Sequence, residues 1–276
     1  MGLRVNNNIA AFNSYRNLQA TDKTLNSSLE KLSSGLRINK AADDAAGLVI
    51  SEGLRSQIGG LTVAARNAQD GVNVIQTADG ALNTSTNILQ RMRDLSVQSQ
   101  NATNSTESLA AIKSEMTELG NELNRIATNT SFNGVALLDG TFTNKDFQVG
   151  HLSADNITVS ITTAFGTTGL TLDVANFDLT TTAGISAAQS AIDTALKAVG
   201  KERANLGAQQ NRFENVISSV NVAIENLTAS ESAIRDTDMA KEMTKFSKSQ
   251  ILSQAGTSML AQANSASQNV LSLLRG

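Results

Sequence analysis

Apolar side chains recur every three or four residues over long stretches of this chain. Leu18, Thr21, Leu25, Leu29, Leu32 and Leu36 step by three, four, four, three and four. Val72, Ile75, Ala78, Leu82, Ser85, Leu89 and Met92 repeat the pattern, as do Leu109, Ile112, Met116, Leu119, Leu123 and Ile126. Later come Leu206, Gln210, Phe213, Ile217, Val220, Ile224, Leu227, Glu231 and Ile234, then the smaller series Leu252, Ala255, Met259, Ala263, Ala266, Val270 and Leu273. A stripe this narrow, sustained over several turns, predicts helices packed along coiled-coil-like seams.

The breaks between stripes are also informative. "KLSSGLRINKAADDAAGLVISEGL" at 31–54 places Gly35, Asn39, Asp43, Asp44 and Gly47 between two helical runs. Gly35 is suited to end the first helix and Asp43-Asp44 to start the second by capping its free N–H groups. "NATNSTES" at 101–108 predicts a short connector, and Asn133-Gly134 and Asp139-Gly140 are turn signals. From 141 to 184 the period changes: "FQVG", "NITVSIT" and "LTLDV" alternate, predicting two or three short strands in hairpins. Four of the eight phenylalanines (142, 147, 165 and 177) fall there, so a small separate core is expected. "TTTAGISAAQSAI" then re-enters helix. The expected fold is mainly α: a long antiparallel helical rod with both termini side by side and a small β-hairpin-rich central segment. Its amphipathic end helices depend on packing partners.

Composition narrows the function. The 276 residues contain no Pro, Cys or Trp, only 3% aromatics and 17% charged residues, with a formal net charge of -3. Missing proline permits long unbroken helices. Without clustered Lys/Arg, nucleic acid is not the expected partner. Zero cysteine removes disulfides and thiolate metal sites. No run of 18 apolar residues predicts a membrane span. "MGLRVNNNIAAFNSY" lacks the apolar centre of a secretory signal, so export is expected to use another route.

Candidate chemistry is sparse. The single histidine, His151, is expected at a solvated turn or strand end; with no cysteine and no second histidine a triad lacks context, and a zinc site would need carboxylates for nearly all its ligands. Asp43-Asp44 and Asp236-x-Asp238 are paired carboxylates, better explained as helix caps than as a hydrolase pair. The glycines of "GVNVIQTADGAL" sit in a helical stripe, not a phosphate loop. No cofactor, metal or catalytic residue is expected. The last helix, "SQAGTSMLAQANSASQNVLSLLRG", has an uncharged polar face, which favours packing against helices over a membrane surface.

Several blocks together resemble the bacterial flagellin family. "INKAADDAAGLVISEGLRSQI", "ARNAQDGVNVIQTADGAL", "LQRMRDLSVQS" and "FNGVALLDG" are similar, in order, to its N-terminal blocks. "ERANLGAQQNRFE", "ESAIRDTDMAKEM" and "QANSASQNVLSLL" are similar to its C-terminal ones. The resemblance spans about 1–140 and 185–276, leaving a short variable region.

It implies a filament subunit, a helical homopolymer for motility, exported unfolded through the flagellar type III apparatus. Residues 1–44 and 236–276 would be inner-core helices with a connecting spoke, disordered in the monomer. Residues 45–140 and 185–235 would form the rod, and 141–184 its outer β-rich part. The spoke joint would comprise Gly35, Asn39, Asp43 and Asp44. Inner-core assembly would use Leu25, Leu29, Leu32, Met259, Val270, Leu271, Leu273 and Leu274. Implied partners are the flagellar cap and hook–filament junction proteins and a cytoplasmic chaperone on about 237–274. A vertebrate Toll-like flagellin receptor would read Arg91, Leu95 and Glu115; the family's RxRELA pattern stands here with Asp94 and Ser96 for Glu and Ala. The alternatives are a hook–filament junction protein and, from another class, an enzyme displayed on such a scaffold.

Overall fold

The computed structural model describes residues 7–275, with side chains through residue 266. Five helices dominate: α1 Ile9–Ser34, α2 Ala45–Ser99, α3 Thr106–Asn129, α4 Thr182–Arg235 and α5 Met239–Arg275. With no proline to interrupt them, α2 and α4 run unbroken for 55 and 54 residues. Two short hairpins lie between α3 and α4: β1 Ser131–Phe132 with β2 Val135–Ala136, and β3 Phe142–Gln148 with β4 Asn156–Ile161. The chain forms two compact units. The central unit spans residues 57–225, and the terminal unit combines residues up to 56 with those from 226 onward.

In the central unit the predicted stripe of α2 is buried at every position, from Val72 through Ser85 to Met92. It meets Ile112, Met116, Leu123 and Ile126 of α3 and Ile185, Ile192, Val199, Leu206 and Phe213 of α4. Each such fully buried side chain contributes about 1.5–3 kcal/mol of transfer free energy. Ion pairs fix the directions. Arg203 of α4 reaches Asp79 of α2 at 2.8 Å, and Arg93 reaches Asp193 at 3.0 Å, so α2 and α4 run antiparallel.

The hairpins follow their turn chemistry. Asn133 and Gly134 both adopt positive φ, 49° and 78°, as a two-residue hairpin turn requires. On β4, Ile157, Val159 and Ile161 alternate inward. Two expectations for 141–184 are corrected. Its apolar residues form no separate core: Phe142, Val149, Ile157, Phe165 and Leu179 join the same cluster as the helix stripes. Phe147 meets Phe213 of α4 edge-to-face at 5.6 Å, and a Cβ on Gly71 of α2 would lie 2.8 Å from the Phe213 ring, so the hairpin is seated through one aromatic pair against a bare helix face. "LTLDV" is not a strand. Leu170, Leu172 and Val174 alternate into the core, but Thr171 takes φ 54° and the segment turns into a 3-10 helix at Val174–Asn176 with no ladder partner.

In the terminal unit α1 and α5 lie side by side. Asn8 donates to the Ala263 carbonyl, Ser253 to Asp22 and Ser28 to Glu242, a descending order that makes the pair antiparallel, as expected from the sequence. Its composition departs from the leucine stripe expected of α1, while α5 keeps the smaller residues expected of it. On α1 a run of covered positions follows Ala11, Ser14, Leu18, Thr21, Leu25, Ser28 and Leu32, with Asp22, Thr24, Ser27, Glu30 and Lys31 partly covered beside it. On α5 the matching run is Glu242, Phe246, Ser249, Ser253, Gly256, Leu260 and Ala263. Both sets keep alternating three- and four-residue steps, and small or polar residues fill many of the places.

Candidate functional site

The terminal unit carries the features that a monomer does not use up. Ile38 is its one fully buried apolar side chain among the described residues. Yet among the described residues eleven of the sixteen large apolar side chains left exposed belong to it: Ile9, Phe12, Tyr15, Leu29, Val49, Ile50, Met239, Met243, Ile251, Leu252 and Met259.

The predicted assembly residues divide between the two sides of the helix pair. Leu25 and Leu32 are half-buried in the α1 seam. Leu29 is 54% exposed, because the heptad step from Leu25 falls on Ser28 instead. Leu252 and Met259, two turns apart on α5, are 48% and 61% exposed, and Ala255 between them is exposed as well. The stripe read from the sequence of α5 therefore exists, but α1 covers the adjacent face through Ser253, Gly256 and Leu260. The side chains of Val270, Leu271, Leu273 and Leu274 lie outside the described residues.

The joint brings both breaks of the chain together. Gly35 ends α1 in the left-handed region at φ 73°, its N–H bonded to the Lys31 carbonyl. Leu36 then pairs with Asp236 as an antiparallel bridge. Arg37 N–H reaches the Arg235 carbonyl at 2.6 Å and Thr237 N–H the Gly35 carbonyl at 2.9 Å. The Arg37 guanidinium donates to the Ile234 carbonyl. The Asp43 carboxylate accepts the N–H groups of Asn39 and Lys40, at 3.1 and 3.0 Å, and the Lys40 and Asn39 N–H bonds hold it below the usual carboxylate range. Asn39 and Lys40 also donate to Glu30. Asp44 caps α2 through Gly47 N–H, and Asp238 caps α5 through Lys241 N–H. Of the four predicted joint residues, Asn39 and Asp43 share one turn, while Gly35 bonds to Lys31 and Thr237 and Asp44 to the first turn of α2.

Sequence reasoning missed its long-range members. Arg235, mostly buried, pairs with Glu52 at 2.7 Å and lowers the Glu52 pKa. Ser28 donates to Glu242 at 2.5 Å; that bond, with help from the charges of Lys245 and Lys31, holds the Glu242 carboxyl below its ordinary value. A serine interrupting a leucine stripe at a heptad position is the signal that points to such a bond.

The predicted receptor set splits. Arg91 and Glu115 are exposed and paired at 2.8 Å across α2 and α3. Leu95 is 1% exposed and part of the core, so it offers no surface in the free chain. Ser96, beside it, is buried with its hydroxyl unpartnered among the described residues. His151 sits exposed in the β3–β4 loop. The described residues include no group of three or more His, Cys, Asp or Glu able to hold a metal ion, and no helix long and apolar enough to cross a membrane.

Comparison with known proteins converges on one family. A model described as the bacterial flagellin N-terminal helical region matches residues 5–143, and one described as the C-terminal helical region matches residues 189–274. The flagellin of Halalkalibacterium halodurans is 48% identical over 271 residues, covering 98% of this chain and 99% of its own. That of Bacillus subtilis is 44% identical over 304 residues, covering 99% and 100%. A solved structure described as a flagellar hook-associated protein from Vibrio parahaemolyticus superposes with a TM-score of 0.61 over 70% of this chain and 100% of that one; at 12% identity it bears on the fold alone.

Proposed function

The chain belongs to the bacterial flagellin family and is a structural subunit of the flagellar filament, and from that premise we propose how its two units divide the labour of assembly. The central unit folds on its own and gives the subunit its rigidity. The terminal unit completes its apolar burial only against further copies of the chain. The observation that carries this reading is the uncovered stripe Leu252, Ala255 and Met259 of α5, beside a helix seam built largely of small and polar residues. A face of this kind, met by a different face on the next copy, grows an open helical polymer instead of a closed ring. The joint at 35–44 and 236–238 is the spoke that fixes the terminal helices in the assembled subunit.

The remaining roles extend from the same division. Terminal helices with little buried apolar area suit a subunit that travels unfolded through the flagellar type III apparatus and folds under the filament cap. The hook–filament junction proteins would meet the same terminal face. Before export, a cytoplasmic chaperone would cover about 237–274, where the exposed apolar side chains of α5 invite premature assembly. A vertebrate Toll-like flagellin receptor would read the exposed Arg91–Glu115 pair, with Leu95 supporting it from beneath. The hook–filament junction alternative is disfavoured by full-length identity to filament flagellins.

Leu252→Asp tests the central point. The position is half exposed in the monomer, so the variant should keep its helical content. Buried against another copy, the carboxylate lacks a partner and is costly. Seeded polymerisation should fail. Normal filaments seen by electron microscopy would refute the reading.

A further inference from the structure

The described methionines fall into two classes. Met92 and Met116 are 0% and 1% exposed inside the central core. Met239, Met243 and Met259 are 47%, 50% and 61% exposed, and all three lie on α5. Met239 and Met243 are one turn apart at its start, and Met259 shares a stripe with Leu252 two turns earlier. The chain has no cysteine and no tryptophan to intercept an oxidant first. A thioether is oxidised readily where solvent reaches it, and the product is polar and reversible.

We propose that Met239, Met243 and Met259 form an oxidation site that controls entry of the subunit into the filament. The co-reactant is a two-electron oxidant of the peroxide class. The methionine sulfur attacks one peroxide oxygen, the O–O bond breaks, and the sulfur keeps that oxygen as a sulfoxide. The other oxygen leaves as water after taking up the proton. Sulfur loses two electrons and peroxide gains them. Each sulfoxide places a strong hydrogen-bond acceptor on an apolar patch that assembly covers. Helical symmetry repeats the defect in every subunit. Oxidised monomers are therefore excluded, while subunits already in place shield their own methionines. This rests on the reading above that copies of the chain cover α5.

The experiment exposes purified full-length monomer briefly to hydrogen peroxide and maps sulfoxides by peptide mass spectrometry. Met239, Met243 and Met259 should react at least about tenfold faster than Met92 and Met116. In seeded polymerisation followed by sedimentation, the critical concentration should rise about tenfold for each sulfoxide left unpaired in a contact. Treatment with methionine sulfoxide reductases should restore assembly. The M239L/M243L/M259L variant, a volume-conserving change, should assemble after peroxide treatment as before it. Should that variant assemble poorly when untreated, reductase rescue of the wild-type chain decides. Oxidised monomer that assembles normally, or a block that neither the reductases nor the triple variant relieves, overturns the proposal. A separate arm oxidises intact filaments. If the three sites react there as fast as in monomer, the face is not covered by neighbouring copies, and the underlying assembly reading fails too.

Discussion

In the central unit the apolar faces of α2, α3 and α4 point at one another, whereas much of the apolar surface of α1 and α5 points away from their shared seam. The residues are not very different in kind; their partners are. Leu82, Leu89 and Leu123 are 0% exposed, while Leu29, Leu252 and Met259 are 54%, 48% and 61% exposed. The first arrangement satisfies itself within one chain. The second retains the free energy of burial for contact with another copy. Polar bonds such as Ser28 to Glu242 and Ser253 to Asp22 set the register of α1 on α5 at modest net gain.

The contrast can be broken most sharply at matched positions. Phe213→Ala removes a ring that packs on Gly71 and Phe147, and should cost the free subunit about 3–5 kcal/mol. Leu260→Ala, at a half-buried place in the α1/α5 seam, should lower monomer stability by less than about 1 kcal/mol, since an interaction already partly solvated is lost. It should nevertheless impair polymerisation. Denaturant melts of monomer and sedimentation of polymer read the two effects separately. Equal destabilisation by both variants in the monomer would erase the distinction.

Gly71→Ala comes next. Its Cβ would meet the Phe213 ring at 2.8 Å, so the ring and the hairpin seated on it must move, at about 1–3 kcal/mol. The expected sign is a lower denaturation midpoint, with the loss of protection centred on β3.

Acid separates the units further. Glu52 and Glu242 are held below their ordinary values by bonds that tie the two ends of the chain together, and Asp43 by the Lys40 and Asn39 N–H groups of the joint. Carboxyls with depressed folded pKa values contribute stability above their unfolded pKa and lose it as pH falls through the folded one. In the central unit the lowered carboxyls of Glu122, Asp139 and Asp178 serve local contacts. Burial raises Glu202, so acid relieves that cost instead. As pH drops from about 4.5, α1 and α5 should lose amide protection before α2–α4 do. Glu242→Gln should flatten this dependence.

The smallest effect is expected at Ser96, whose buried hydroxyl lacks a partner among the described residues. Ser96→Ala should be neutral or stabilising by up to about 1 kcal/mol, measured by thermal melting of the monomer.

The same contrast governs what was legible in the sequence. Every position of the α2 stripe from Val72 to Met92 is buried, because there the apolar period and the packing period coincide. On α1 and α5 apolarity alone does not locate the shared seam, because small and polar residues fill many of its places. The step from Leu25 to Leu29 breaks the three-four alternation that selects Ser28, whereas on α5 Leu252 and Met259 keep a heptad step of their own on a face beside the one covered at Ser253 and Leu260. The caps at Asp44 and Asp238 and the stop at Gly35 were readable from local chemistry. Their union through Leu36 and Asp236 was not, since a bridge between residues 200 positions apart leaves no local mark. "LTLDV" failed for a related reason: its alternation reports burial on one face, and a strand also needs a neighbour.

Amide hydrogen exchange on monomer and filament tests the central claim most directly. The prediction is strong protection of α2–α4 in both states, with α1, α5 and the 35–44 joint exchanging quickly in monomer and slowly in filament. Equal protection of α1 and α5 with α2–α4 in the free monomer would contradict it.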